Sequence, residues 1–305
     1  MKRLIVILLV LLLVFFAGDR IISLGLHRMF YGSEFRFARL YRGGMTNEVI
    51  IMGNSRGKAY YTPYMEEKLG VSCFNLAYDA VDTKIAGILF ADYLDHNAAP
   101  RLLIIEMKCL QGENKAHEGS MKVFIGSSER FSDFLRAKSF KEWVLCKMVH
   151  IYRYNSEFFL RAQIMSSRQA DQSWVNSALI TQAILDDISQ GRRIQNPPPP
   201  RERYEELAEI LRTASEHGVA VRLVLNPYLP QYVAGSTLLP YETYLRDYTG
   251  ISEHVWDYRL AITDSSLFAD GRHINVNGSR VLIDMQIADG FYDPVLPQKK
   301  QPLHE

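Results

Sequence analysis

Five short apolar runs separated by amphipathic stretches constrain this chain more than any other feature. Val49–Met52, Val71–Ala77, Leu102–Met107, Val219–Leu225 and Val255–Tyr258 are apolar on nearly consecutive positions. That is the pattern of short strands buried on both faces. Thr62–Leu69 and Thr83–Leu94 between the first three runs predict helices, with Gly70 stopping the first and Pro100 preceding the third strand. Arg203–His217, stopped by Gly218, and the closing segment Asn275–Ile287 predict two more. Strand and helix in alternation predict an α/β domain whose parallel sheet is covered on both faces.

The alternation breaks between about residues 110 and 200. Helical segments such as Phe140–Phe159 and Trp174–Ser189 fill this stretch without a strand, so it reads as a mostly helical insertion over the C-terminal edge of the sheet. Insertions there commonly shape a substrate cleft. Pro197–Pro200 forms a stiff spacer suited to a helix start.

The other irregularity is the N-terminus. Lys2 and Arg3 precede an unbroken apolar run, Leu4–Ala17, which ends at Asp19 and Arg20. As a helix that run spans roughly 21 Å, short of the ~30 Å hydrocarbon layer, and it lengthens through Ile21–Leu26 if Asp19 and Arg20 pair or snorkel. An uncleaved signal anchor, a cleaved signal peptide and a buried helix are the three readings. The anchor is favoured because Phe15 stands where an A-x-A-like cleavage site needs a small residue. The positive charge ahead of the run keeps that end cytoplasmic, so the globular part is expected outside the membrane, or secreted if the segment is cleaved. The expected organisation is an anchor or signal over residues 1–26, a helical connector over 27–47, the α/β domain with its insertion over 48–290, and a tail over 291–305.

A formal net charge of +1 gives no field to attract nucleic acid, and the short Arg192-Arg193 pair reads as solvated surface. The three cysteines, Cys73, Cys109 and Cys146, have no ligand spacing; buried free thiols are expected, with one disulfide as the alternative. His27, His96, His117, His150, His217 and His254 show no metal-binding spacing, so neither metal nor cofactor is called for.

Two polar turns carry the chemistry. Gly53-Asn54-Ser55-Arg56 follows the first strand, where a tight turn would expose a hydroxyl in the crevice beyond the strand ends. Asp270-Gly271-Arg272-His273-Ile274-Asn275 precedes the last helix and sets a carboxylate three residues before an imidazole. A carboxylate can hold one ring nitrogen while the other takes a proton from serine. Taken singly, the first is an ordinary helix-capping turn and the second an ordinary Asp-Gly turn. Arg56 is expected at the surface, with anion binding as the rival role; Tyr60, Tyr61 and Tyr64 as helix packing; Asp79 and Asp82 as solvated loop residues.

These two blocks, with Gly278 following, resemble the first and last blocks of the SGNH/GDSL hydrolases. The resemblance covers roughly Val49 to Ile287 outside the insertion. It implies a flavodoxin-like three-layer sandwich, with Ser55 as nucleophile, His273 as general base and Asp270 as its orienter. Asn54 stands where the family usually has aspartate. The middle blocks depart further: no glycine marks the turn after Asn75-Leu76-Ala77-Tyr78-Asp79, and Glu106-Met107-Lys108 follows the third strand, with Asn114 the nearest asparagine. The oxyanion candidates are therefore the Ser55 amide, the backbone at Ala77 and Asn226. By architecture the chain is similar to membrane-anchored members that modify cell-envelope polymers. That implies an extracytoplasmic esterase or O-acyltransferase acting on an acylated glycan. The alternative is an inactive accessory protein that binds polymer or scaffolds an integral membrane acyltransferase.

Overall fold

A computed structural model of the chain describes residues 1–112, 119–168, 176–191 and 197–296. Asn114, His117, Trp174, Arg192, Arg193 and the last nine residues of the expected tail lie outside the described residues. The chain forms two compact units: one joins Thr46–Glu113 to Gln172–Glu305, the other joins Met1–Met45 to Asn114–Asp171.

The larger unit holds five parallel strands: β1 (Val49–Met52), β2 (Cys73–Asn75), β3 (Leu102–Glu106), β4 (Ala220–Leu225) and β5 (Val255–Asp257). Their spatial order is β2-β1-β3-β4-β5, with Val49 in register with Cys73 on one side and Leu102 on the other. This is the flavodoxin-like order, in which the order of strands reverses between β1 and β3 and opens a crevice beyond their carboxyl ends. The expected α/β sandwich is the observed one.

Alternate strand residues serve opposite layers. Val49, Ile51, Leu102, Ile104 and Val224 pack with Met65 and Leu69 of the helix Thr62–Leu69 and with Leu282 and Ile283 of the helix Val276–Ala288. Ile50, Leu103, Ile105 and Leu223 are equally buried and point the other way. The helices Thr83–His96 and Arg201–Glu216 pack on each other to form the second helical layer. β2 is shorter than the apolar run predicted: the Leu76 amide still donates to Ile51, but the Ala77 amide turns to the Asn75 side chain and the ladder ends.

The smaller unit is helical. The helix Lys2–Gly32 leads into Arg36–Arg42, and Phe30, Phe35, Phe37, Tyr41, Phe124, Phe131 and Phe158 form its aromatic core. The helical connector expected over 27–47 is interrupted at Ser33, whose hydroxyl donates to the Phe30 carbonyl. The helix predicted over Phe140–Phe159 is two helices, Phe140–Met148 and Glu157–Met165. Between them, at the 3-10 turn Ile151–Tyr154, the carboxylate oxygens of Asp19 accept the His150 and Ile151 amides at 2.9 Å each. The helix Lys2–Gly32 is long and apolar enough to cross a membrane. All three cysteines are free and buried.

Candidate functional site

β1 ends at Met52 and Gly53 turns the chain with φ +135°, a conformation that L side chains rarely adopt. A Cβ there would also lie 3.0 Å from Glu106 Cβ. The chain then enters a tight 3-10 turn, Ser55–Ala59, capped by Asn54 Oδ1 accepting the Arg56 amide at 3.0 Å. Ser55 is thereby lifted into the crevice at the β1/β3 reversal.

The partner turn is built by a different set of local bonds. The Ala269 amide donates to the His273 carbonyl at 2.8 Å, closing a narrow loop. Asp270 Oδ1 accepts the Arg272 amide at 2.7 Å and the His273 amide at 3.0 Å, which folds the carboxylate back toward the imidazole. Asn275 fixes the exit. Its Oδ1 caps the helix Val276–Ala288 by accepting the Asn277 and Gly278 amides, while Nδ2 donates to the Ser266 and Phe268 carbonyls.

The two turns meet. Ser55 Oγ lies 3.0 Å from His273 Nε2, and His273 Nδ1 lies 2.9 Å from Asp270 Oδ2. A carboxylate can only accept, so Nδ1 carries the proton and Nε2 presents its lone pair to the serine hydroxyl. Burial works against charge on Asp270, but the His273 hydrogen bond, the His273 charge and the two backbone amides outweigh it. Together they hold the carboxyl below its ordinary pKa.

Ser55 and His273 line a cavity of about 230 Å³ whose other polar walls include Lys58, Asp79, Asn176 and Arg272. Lys58 Nζ donates to Asp79 at 2.8 and 3.0 Å, so one neutralised pair sits on the rim. The sequence expectation for Asp82 is corrected: it is buried and caps Thr83–His96 by accepting the Ile85 amide. Tyr60 is fully buried, donating to Asn226 Oδ1 and accepting from Gln286. Tyr64 instead donates to Asp284 near the surface.

The oxyanion candidates separate. The Ser55 amide opens the 3-10 turn beside its own hydroxyl. The Ala77 amide, in contrast, donates to Asn75 Oδ1 at 2.9 Å, and Asn226 Nδ2 donates to the Arg56 carbonyl at 2.9 Å. Asn226 lines the cavity with one of its two N–H donors engaged by that carbonyl and its Oδ1 accepting from Tyr60.

Arg56 overturns the expectation of a surface residue. Its side chain is 4% exposed, and Nε donates to Glu106 Oε1 at 3.2 Å, where Glu106 is fully buried at the end of β3. Its remaining donors reach the carbonyls of Arg272 (2.5 Å), Pro227 (3.2 Å) and Asn226, and the guanidinium lies 3.6 Å from the Tyr228 ring centroid. The group therefore ties the residue after the serine to the carbonyl just before the histidine. Sequence reasoning missed Glu106 altogether. A carboxylate closing an otherwise apolar strand was the available signal, since such a group is buried only with a partner.

The fold and the site define an α/β protein with an aligned serine, histidine and aspartate at the strand ends. No protein-family model matches the chain, and no curated protein matches it in sequence. Among solved structures it is similar to the lipase Lip_vut3 from a goat rumen metagenome, at 12% identity over 81% of this chain and 98% of that one. The TM-score is 0.33, a likeness too loose to bear on activity.

Proposed function

We propose that the chain is an extracytoplasmic serine esterase or O-acyltransferase of the SGNH type, acting on acyl groups of a cell-envelope glycan. The observation that carries the reading is the unbroken relay from Asp270 through His273 to the Ser55 hydroxyl inside an open, polar cavity. The strand order and the paired Gly53-Asn54-Ser55 and Asp270–His273 blocks support the family assignment. The apolar N-terminal helix supports anchorage at a membrane, and Lys2 and Arg3 ahead of it favour a globular part on the far side.

In this mechanism Ser55 Oγ bonds to the ester carbonyl carbon as its proton passes to His273 Nε2. Collapse of the tetrahedral intermediate breaks the carbon–oxygen bond to the leaving alcohol, which takes that proton, and an acyl-serine remains. Water or a sugar hydroxyl then attacks the acyl-serine, with His273 again accepting and returning the proton. Asp270 holds the ring throughout and stabilises its charged form. The Ser55 amide supplies the oxyanion donor. The rim groups Lys58, Asp79 and Asn176 offer the mixture of donors and acceptors that sugar hydroxyls require.

A fluorophosphonate probe should label the full-length protein, and Ser55→Ala should abolish the label. Labelling that survives the substitution would sink the proposal. One observation favours a second reading, an accessory protein that binds polymer or scaffolds an integral membrane acyltransferase: the Ala77 amide and one of the two Asn226 side-chain N–H donors are spent inside the protein. Loss of one oxyanion donor costs about 10²–10³ in rate. Absence of aryl acetate turnover, together with co-purification of such a membrane enzyme, would decide for this reading.

A further inference from the structure

We infer that the helix Phe140–Met148 of the smaller unit lies in the membrane interface, with Phe140, Val144 and Met148 entering the edge of the lipid layer. The inference rests on the proposed membrane anchorage of the helix Lys2–Gly32, and begins with a mismatch of length. The fully apolar run Leu4–Ala17 covers only about two thirds of a ~30 Å hydrocarbon layer. Carrying the lipid down to Leu24 makes up the difference, at roughly 1.5 Å per residue.

The helix surface agrees with that extension. Ile21, Ile22 and Leu24 are 72%, 54% and 51% exposed, values like those of the run before them. Asp19 and Ser23, on the opposite face, are buried within the unit. The charges in this stretch are met locally: Asp19 accepts the His150 and Ile151 amides, and Arg20 pairs with Asp19 while lying over the Phe16 ring. Charges that pair with one another or bond to backbone groups are the form in which such residues tolerate the edge of a bilayer.

Whatever packs against Asp19 and Arg20 must then share their depth. Arg20 Nη2 donates to the Met148 carbonyl at 3.4 Å, which brings the end of the helix Phe140–Met148 to that level. With about 100° between successive residues, Lys147, Phe140, Val144, Met148 and Lys141 fall in that angular order along one side of this helix. Cys146, fully buried, falls on the other side. Phe140 and Met148 are 64% and 67% exposed, and Phe140 stacks on Trp143. An apolar strip with a lysine on each flank suits a lipid surface, because its centre replaces headgroup water while the lysines meet anionic phosphates.

The test uses the full-length chain in phosphatidylethanolamine/phosphatidylglycerol liposomes. Nitroxide labels are placed one at a time at Leu11→Cys, Phe140→Cys, Met148→Cys and, as an aqueous reference, Glu209→Cys; the native cysteines are buried and stay unlabelled. Relaxation by oxygen is compared with relaxation by a water-soluble nickel chelate. Labels at 11, 140 and 148 should favour oxygen several-fold over the reference, with 148 shallower than 11. If 140 and 148 match position 209 while 11 is in lipid, the interfacial helix is overturned and the anchor stands. If 11 itself is exposed to nickel, the anchor reading falls and takes this inference with it.

Discussion

Ser55 and Arg56 are neighbours in the chain and opposites in environment. Ser55 faces an open cavity and is held to His273 by one hydrogen bond, whereas Arg56 is sealed in protein by an ion pair, three carbonyls and an aromatic face. The first arrangement spends its polar groups on a ligand yet to come. The second spends them on the protein, and what it fixes is the spacing between the two turns that make up the first. A relay can be locally simple because a buried clamp beside it sets the distance.

The comparison predicts that the two sets of groups fail in different currencies. Asp270→Asn should lower acyl-ester turnover by about 10⁴-fold, because the amide can favour the wrong imidazole tautomer. The thermal midpoint should move little. Activity near the native level in a folded Asp270→Asn protein would mean that the relay does not operate through this carboxylate.

Breaking the clamp should show first in stability. Glu106→Gln leaves the Arg56 charge buried without its counter-ion, for which a loss of about 3–5 kcal/mol is expected in chemical denaturation. A Glu106→Leu, Arg56→Met double variant removes both charges and should recover part of that loss. Its turnover should remain reduced, since nothing then ties the Arg272 carbonyl. Full activity in the stable double variant would show that the clamp serves folding alone.

The sequence was most informative where residue identity and local order suffice. The relay residues lie in two short turns, each shaped by its own side chains, as in Asp270 gathering the Arg272 and His273 amides. The strand pattern likewise reported its own burial and a covered parallel sheet, whereas the flavodoxin-like arrangement was implied only by the family resemblance. The clamp was illegible because burial of a charge depends on long-range partners: Glu106 is fifty residues from Arg56, and the three carbonyls come from two further loops. The same limit hid Asp19, whose carboxylate accepts the amide of His150, 131 residues away.

The relay's carboxylate offers a smaller, pH-dependent contrast. The folded state lowers the Asp270 pKa, so its contribution to stability is present above the unfolded value, about 3.9, and is lost as pH falls through the folded value. The stability difference between native protein and Asp270→Asn should be flat near neutrality and shrink in acid. A difference that persists unchanged to the lowest workable pH would detach that stability from ionisation.

Lys108 tests the clamp's side of the comparison most gently. It follows Glu106 by two residues, and its amide donates to Glu106 Oε2 at 3.0 Å. Burial first, and then the Arg56 charge, bring its ammonium pKa down to about 8, with Glu106 opposing and Arg272 adding slightly. Between about pH 8 and the unfolded value near 10.4 the unfolded chain binds more protons at this site, so stability should rise with pH across that window. Lys108→Met should remove the rise. In the Glu106→Leu, Arg56→Met double variant the lower edge of the window should move up and the window narrow, because the Arg56 charge lowers the Lys108 pKa more than Glu106 raises it. A window that stays in place in the double variant would show that burial alone sets the lysine, and that the clamp's field does not reach past its own hydrogen bonds.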